Sequence, residues 1–295
     1  LNQTMKDIEI ICINDASPDG CGKILAEYAQ KDSRIRVISF SQNKGPSAAR
    51  NVGLASAQGA YVAFCDSDDY MHPEMLQILY REIKKGDSDV AYCLAHLVEE
   101  SAVPHFEKIG GYWMKKYYVT QELERQTLLD PYFVVVWNKL YKKSAIGSTK
   151  FDEELFYAED SFFNYSLFDS SKKYVIVHEK LYYWRRSSNS VTRKPCTYKC
   201  LDSIRKYLEK IQKIKTISEP LRVDICLGQL CWMLDMNAKY GTQESGEFFA
   251  ILDILNAAHE KNIIRCSKLM FKCLKVHLLV EYCLQKLPQW MRWER

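Results

Sequence analysis

The feature that most constrains the fold is the alternation of apolar, β-branched runs with amphipathic segments in the first hundred residues. Strands are predicted at 8–14, 34–40, 61–65 and 88–98, and helices at 22–31, 46–57 and 73–85. Pro46 and Pro73 stand where a helix begins, a position that tolerates proline. Strand–helix repetition with short connections predicts an α/β fold: a mostly parallel sheet with helices on both faces.

Acidic residues follow two of these predicted strands. Asp15 ends the first, and Asp66, Asp68 and Asp69 follow the strand at 61–65 in the stretch "YVAFCDSDDY". Ligands of such sheets bind outside the carboxyl ends of the strands. Neighbouring carboxylates repel one another unless a cation lies between them, and oxygen ligands suit Mg²⁺ or Mn²⁺. A simpler interpretation remains open, in which Asp68 or Asp69 caps the helix that follows.

Composition narrows the class of protein. The chain has 295 residues and a net charge of +4 from 41 basic and 37 acidic side chains, so the charge does not indicate nucleic-acid binding. No run of 18 apolar residues and no signal peptide occurs. The eleven cysteines are odd in number and contain no Cys-x-x-Cys pair, which favours free thiols in a reducing, cytoplasmic compartment.

Four segments carry a resemblance to a known family. They are "INDASPDG" (13–20), "NKGPSAARNVGLASAQGAYVAFCDSDD" (43–69), "VWNKLYKK" (136–143) and "YAEDSFFNYSLF" (157–168), the last followed by "YYWRRSSNSVT" (182–192). In this order they resemble the inverting glycosyltransferases of family 2, which have the GT-A fold. The resemblance implies transfer of a sugar from a nucleotide-diphosphate donor, a UDP-sugar, to a hydroxyl of a glycan or lipid-linked acceptor in cell-surface polysaccharide synthesis.

The resemblance also implies a donor site. Asp15 would contact the uracil or ribose, and Arg50 would lie near the nucleotide. Asp66 would face the ribose and metal region, and Asp68 would bind the Mn²⁺ or Mg²⁺ that bridges the diphosphate. Arg185 and Arg186 would lie in a loop over that diphosphate. From the residues alone, two simpler interpretations stay open: Asp15 caps a turn, and Arg50 is an ion-pair partner on a helix surface.

The acceptor side follows from the same resemblance. Asp160 would be the catalytic base, with Glu159 beside it orienting the acceptor, and Trp137 and Lys139 would shape the acceptor site. Two alternatives remain: Glu159 and Asp160 could be the acidic first turn of a helix, and Trp137 could belong to the core.

The resemblance covers about residues 1–195, and a second region is predicted for 196–295. Helices are expected there at 200–217, 221–239, 246–260 and 264–287, because apolar residues recur at helical spacing. The last of these segments mixes Lys and Arg with Leu, Trp and Tyr. This composition is typical of a peripheral membrane contact, with an ordinary packed helix as the alternative.

The family begins with a strand of the type Val-Ile-Ile-Pro-x-Tyr-Asn, which this sequence does not contain. The resemblance therefore implies an N-terminally truncated sheet. It leaves a second function open, that of a non-catalytic nucleotide-sugar-binding protein or an inactive fragment of such an enzyme.

Overall fold

A computed structural model of the chain describes residues 1–111, 114–118, 128, 130–168, 172–186, 198–222, 224–226 and 228–229. The chain divides into two compact units, Leu1–Ser187 and Ser188–Arg295. The boundary predicted at 195/196 falls among residues 187–197, outside the described residues, and stays a prediction.

The first unit begins with a small parallel sheet of β1 (Ile10–Asn14) and β2 (Ile35–Ser39). Helices α1 (Cys21–Lys31) and α2 (Pro46–Ser56) follow these strands and contact them. Gly45, with φ of 87°, supplies the left-handed backbone conformation immediately before α2, and Pro46 fits the first helical turn. These four predicted elements are confirmed, with ends that differ by a residue or two.

A second, six-stranded sheet carries the main core. Its strands are β3 (Tyr61–Val62), β4 (Tyr70–Met71), β5 (Val90–Glu99), β6 (Met114–Tyr118), β7 (Lys139–Lys142) and β8 (Lys173–Arg186). They run in the order β3-β7-β5-β8-β4, with β6 also pairing with β8. The β5–β8 pairing is parallel and the others are antiparallel, so this sheet is mixed rather than mostly parallel. The strand predicted at 61–65 is short because the chain leaves the sheet to form the acidic loop.

Helix α3 (Met75–Gly86) packs across this second sheet. Its buried residues follow helical spacing and include Ile78, Leu79 and Ile83, which join the core with Val175 and Leu181 of β8. Each such side chain stabilises the fold by about 1.5–3 kcal/mol on full burial. The helix ends at Asp87, which has left-handed backbone angles.

The fold brings the acidic loop 66–69, the end of β8 and residues 159–160 close to one another. The acidic loop 66–69 leads directly into β4, which pairs with residues 182–183 of β8. The short helix α4 (Lys143–Ile146) follows β7, and α5 (Glu159–Leu167) begins after Ala158, whose φ of 63° turns the chain into the helix. Glu159 and Asp160 thus form the acidic first turn of α5, where the helix dipole stabilises negative charge.

The described part of the second unit is mainly helical. Helix α6 (Tyr198–Ile211) overlaps the predicted helix 200–217 but ends six residues earlier, and it buries Ile204, Leu208 and Ile211. The described residues of 219–229 are also helical. The predicted helices at 246–260 and 264–287, with the membrane-contact segment, lie outside the described residues. Among the residues described, none of the helices has the length and apolar character needed to span a bilayer.

Candidate active site

Arg50 of α2 contacts three carboxylates from two distant parts of the chain. Its Nη2 lies 3.2 Å from Asp66 Oδ1, and its Nη1 lies 2.8 Å from both Glu159 Oε1 and Asp160 Oδ1. The planar guanidinium presents several donors in fixed directions, so one side chain can contact all three groups. Arg50 therefore joins the acidic loop to the start of α5.

This cluster is largely shielded from water. The side chains of Arg50 and Glu159 are each 15% exposed, and that of Asp160 is 19% exposed. Burial acts to lower the pKa of Arg50, but the charges of Asp160, Asp66 and Glu159 outweigh it and raise this pKa above its usual value. The guanidinium therefore stays charged, and three carboxylates around one cation leave the cluster with excess negative charge.

Asp160 is the most perturbed carboxyl group of the cluster. Burial raises its pKa well above the ordinary range, Arg50 opposes this shift, and the negative charges of Glu159 and Asp66 add to it. Although Asp160 Oδ1 lies 2.8 Å from Arg50 Nη1, it accepts no well-aligned hydrogen bond from the described residues. A buried carboxylate with an unpartnered oxygen can accept a proton from a bound hydroxyl.

The acidic loop is held from β8. The Asp66 N–H donates to Tyr182 Oη at 3.2 Å, and the Tyr182 hydroxyl donates to Asp69 Oδ2 at 2.8 Å. The Arg185 N–H donates to Asp69 Oδ1 at 2.7 Å, and Arg185 Nε donates to the Asp68 carbonyl oxygen at 2.6 Å. Asp69 thus points inward, and burial raises its pKa to about 6. It does not cap α3, since the residue that precedes this helix is Glu74.

Asp66 and Asp68 are the groups that suit a divalent cation. The Asp66 side chain is 35% exposed, and within the described residues the Asp68 carboxylate has neither a hydrogen bond nor an ion pair. In the same part of the chain, no group of three or more His, Cys, Asp or Glu side chains could hold a metal by itself. Two carboxylates still fit Mg²⁺ or Mn²⁺, since these ions commonly bind one or two carboxylates together with substrate phosphates.

Asp15 lies at the end of β1, where the sequence predicted it, but its carboxylate binds the backbone. It accepts the N–H of Lys44 at 2.7 Å and that of Gly45 at 2.8 Å, while Asn43 Nδ2 donates to the Asp15 carbonyl oxygen at 3.2 Å. Asp15 therefore shapes the loop before α2. The described contacts do not join it directly to the cluster around Arg50.

Trp137 lies in the core, as the alternative interpretation of the sequence had it, and Lys139 is also buried. Trp137 is 9% exposed, and its ring stacks on Tyr182 with centroids 4.4 Å apart. Lys139 is 1% exposed, and its Nζ donates to the carbonyl oxygens of Tyr132 and Val135, each at 2.5 Å. Burial lowers the pKa of Lys139 to about 7. Both side chains support the site from the core and do not present a surface to an acceptor.

Arg186 is the last residue of β8, and its place over the donor diphosphate stays a prediction. Its Nη1 lies 3.2 Å from Glu99 Oε1 on the neighbouring strand, and its side chain is 42% exposed. Successive residues of a strand point to opposite faces, so Arg185 and Arg186 meet different surroundings. The arginine that contacts the acidic loop is Arg185.

Sequence reasoning missed Tyr182 and the inward position of Asp69, and it placed Arg185 over the diphosphate and not against the acidic loop. Their contacts cross 113 to 117 residues of sequence. No local pattern indicates these contacts, since Tyr182 and Arg185 are three residues apart in β8 and strand alternation does not place them on one face.

Comparison with known proteins identifies the family of the chain. The sequence profile described as "Glycosyl transferase family 2" matches residues 1–148. The uncharacterized glycosyltransferase EpsJ of Bacillus subtilis is 34% identical over 252 residues, which cover 79% of this chain and 71% of EpsJ. The poly(ribitol-phosphate) beta-glucosyltransferase of Bacillus spizizenii is 31% identical over 191 residues, which cover 62% of this chain and 28% of that enzyme.

Among solved structures, residues 1–349 of TarS from S. aureus in complex with UDP give a TM-score of 0.64 at 22% identity. The likeness covers 97% of this chain and 83% of the TarS chain. A second TarS structure, in complex with UDP-GlcNAc, gives a TM-score of 0.62. This likeness confirms the predicted α/β GT-A fold. Together with the family profile and the identity to EpsJ, it shows that the chain belongs to glycosyl transferase family 2.

Proposed function

We propose that this glycosyltransferase transfers a sugar from a UDP-sugar to a hydroxyl group of a glycan or lipid-linked acceptor, with inversion at the anomeric carbon, in cell-surface polysaccharide synthesis. The observation that carries the proposal is Arg50, which links Asp66 of the acidic loop to Asp160 at the start of α5. A donor bound at Asp66 would lie beside Asp160, whose carboxylate is able to accept a proton.

Inverting transfer is a single displacement. The acceptor oxygen forms a bond to the anomeric carbon as the bond from that carbon to the diphosphate oxygen breaks, and the hydroxyl proton passes to Asp160. The raised pKa of Asp160 suits a base that works near neutral pH. Glu159, held by the same arginine, would orient the acceptor. In this assignment Asp15 and Arg50 shape the nucleotide side of the site.

Asp68, with Asp66 beside it, would hold Mn²⁺ or Mg²⁺ together with the donor diphosphate. When bound, such an ion supplies positive charge that stabilises the departing nucleoside diphosphate. Arg50 contacts one carboxylate oxygen of Asp66, so that oxygen is already engaged by a cation of the protein. Asp68 has no such partner among the described residues, which supports its assignment as the principal metal ligand.

The donor and acceptor classes draw support from relatives. TarS binds UDP and UDP-GlcNAc in its solved structures, and a 31% identical relative is named for transfer of glucose to poly(ribitol-phosphate). These names favour a UDP-sugar donor and a cell-surface polymer as acceptor.

The test begins with donor binding. Purified protein is titrated with UDP and with a panel of UDP-sugars, with and without Mn²⁺, and the unfolding midpoint is recorded, because a ligand of the folded state raises it. The donor that gives the largest shift is then used for turnover, followed by UDP release and by NMR of the anomeric configuration. We expect a Mn²⁺-dependent shift and an inverted product. A retained configuration would refute the single displacement.

Asp160→Asn separates chemistry from binding. It should leave donor binding within about 2-fold and lower turnover by about 10²-fold or more, the scale for loss of a positioned base. Asp7→Asn, which removes the same charge at an exposed position, is the matched control and should behave as the wild type. If the wild-type protein binds the donor but transfers no sugar from it, the chain is a nucleotide-sugar-binding protein without catalytic activity.

A further inference from the structure

The loop that carries Asp66 and Asp68 is gripped at its backbone by side chains that are not themselves candidate ligands. Tyr182 Oη accepts the N–H of Asp66, and the Arg185 guanidinium donates through Nε to the carbonyl oxygen of Asp68. The backbone on either side of Ser67 is therefore fixed from β8. Within the described residues, the carboxylate of Asp68 is left without a partner.

Asp69 completes this arrangement from inside the loop. Its two carboxylate oxygens accept the Tyr182 hydroxyl at 2.8 Å and the Arg185 N–H at 2.7 Å. A partly buried carboxylate is costly unless its oxygens are hydrogen-bonded, and both are. The same two residues thus hold Asp69 inward and contact the backbone of Asp66 and Asp68.

Tyr182 and Arg185 are in turn held by aromatic rings. The Tyr182 ring is fully buried and stacks on Trp137 with an interplanar angle of 23°. The Arg185 guanidinium lies over the ring of Tyr70, 5.5 Å from its centroid. These contacts restrict the rotamers of both side chains, so the loop is held by groups that are themselves fixed.

We infer that Tyr182, Arg185 and Asp69 form a brace that positions the carboxylates of Asp66 and Asp68 for the divalent cation and the donor diphosphate. The inference rests on the proposed function for the identity of the ligands. The three are positioning residues, because they act through the loop. Without the brace, repulsion among the carboxylates of residues 66, 68 and 69 would drive the loop apart.

The sharpest test removes one oxygen atom. Tyr182→Phe deletes the hydroxyl that contacts Asp66 and Asp69, and Tyr183→Phe makes the same change at the next residue of β8 as a matched control. Mn²⁺ is titrated into each protein with saturating UDP, and free Mn²⁺ is read from its paramagnetic resonance signal. Loss of one or two hydrogen bonds predicts a Kd for Mn²⁺ raised by about 3- to 10-fold in Tyr182→Phe and by less than about 2-fold in the control.

A second measurement separates positioning from general destabilisation. UDP binding is measured by calorimetry in Mn²⁺ and in EDTA. A brace predicts that Tyr182→Phe weakens UDP binding in Mn²⁺ and leaves it unchanged in EDTA. Equal losses in both conditions would indicate a general structural role and overturn the inference. If Tyr182→Phe does not fold, Arg185→Lys takes its place, since lysine keeps the charge but lacks the Nε donor that contacts Asp68.

The two proposals can fail separately. A wild-type protein that binds neither UDP nor Mn²⁺ would refute the proposed function, and the brace with it. If Tyr182→Phe and Arg185→Lys both bind UDP and Mn²⁺ as tightly as the wild type, the brace is refuted and the proposed function is not.

Discussion

Asn51 and Phe151, 100 residues apart in the sequence, exchange two hydrogen bonds. Asn51 Nδ2 donates to the Phe151 carbonyl oxygen at 2.9 Å, and the Phe151 N–H donates to Asn51 Oδ1 at 2.8 Å. The Phe151 ring also lies 5.4 Å from the Arg50 guanidinium and stacks on Phe163 of α5. One turn of α2 therefore fixes the segment that leads to the start of α5.

Asn51→Ala should loosen this connection. It leaves the backbone donor and acceptor of Phe151 without their partner, so the free energy of unfolding should fall by about 1–3 kcal/mol. Because Asp160 would then be less well placed, kcat should fall by about 10-fold or more while donor affinity changes little. Urea unfolding and steady-state kinetics measure the two effects, with the exposed Asn2→Ala as control. A kcat equal to that of the wild type would show that this connection does not position the base.

Arg50→Lys tests whether charge alone organises the cluster. A lysine ammonium keeps the charge but cannot make the fixed, forked contacts that reach Asp66, Glu159 and Asp160 together. We expect a loss of about 1–2 kcal/mol in stability and weaker stabilisation of the protein by donor. Thermal unfolding with and without UDP measures both effects, and Arg81→Lys on the exposed face of α3 is the control. If Arg50→Lys has the stability and the UDP response of the wild type, the positive charge of Arg50 is sufficient and its forked geometry is not required.

The raised pKa of Asp160 predicts the pH dependence of activity. A general base works only when ionised, so kcat/KM should fall as the pH decreases through the pKa of this group. Because burial raises that pKa, the acid limb should lie well above pH 4, the ordinary value for an aspartate. A pH–rate profile with a fixed donor measures it. Activity that stays level down to pH 4 would exclude Asp160 as the titrating base.

The same shift predicts a pH-dependent gain in stability for Asp160→Asn. A carboxyl group with a raised folded-state pKa contributes stability that is present below its unfolded pKa, near 4, and is lost as the pH rises through the folded-state pKa. Asparagine resembles the protonated form and carries no charge. The variant should therefore be more stable than the wild type at pH 8, by about 1 kcal/mol or roughly 2–4 °C, with the difference shrinking toward pH 4. Unfolding midpoints across this range decide it, and a variant less stable at pH 8 would contradict the prediction.

Lys139→Met tests the structural place of this lysine. The substitution removes the hydrogen bonds from Lys139 Nζ to the carbonyl oxygens of Tyr132 and Val135, which keep a second donor each in Asn138 and Asn164, so unfolding should become easier by about 1–2 kcal/mol. The acceptor KM of the folded enzyme should not change. Exposed Lys23→Met is the control for loss of charge. A higher acceptor KM at unchanged stability would restore the acceptor role first predicted for Lys139.

Much of the site was available from the sequence. The order of strands and helices around 10–56 follows from local patterns of apolar residues, glycine and proline, which the structure preserves. The acidic residues at 66–69 and 159–160 also stand where the sequence indicated, after a strand and at a helix start. These features depend on residues that are close together in the sequence, so local sequence patterns are enough to predict them.

Only the tertiary structure decided which side chains meet. Strand alternation requires Arg185 and Arg186 to face opposite sides, but it does not say which side meets a loop 116 residues earlier in the chain. Likewise, "VWNKLYKK" does not tell whether Trp137 and Lys139 face a ligand or the core. Their burial depends on how β7 and β8 pair with opposite sides of β5 in one sheet, and for Lys139 also on the contacts with the loop 132–135. Long-range pairing fixes burial, and burial in turn fixes the pKa values and partners from which the chemistry follows.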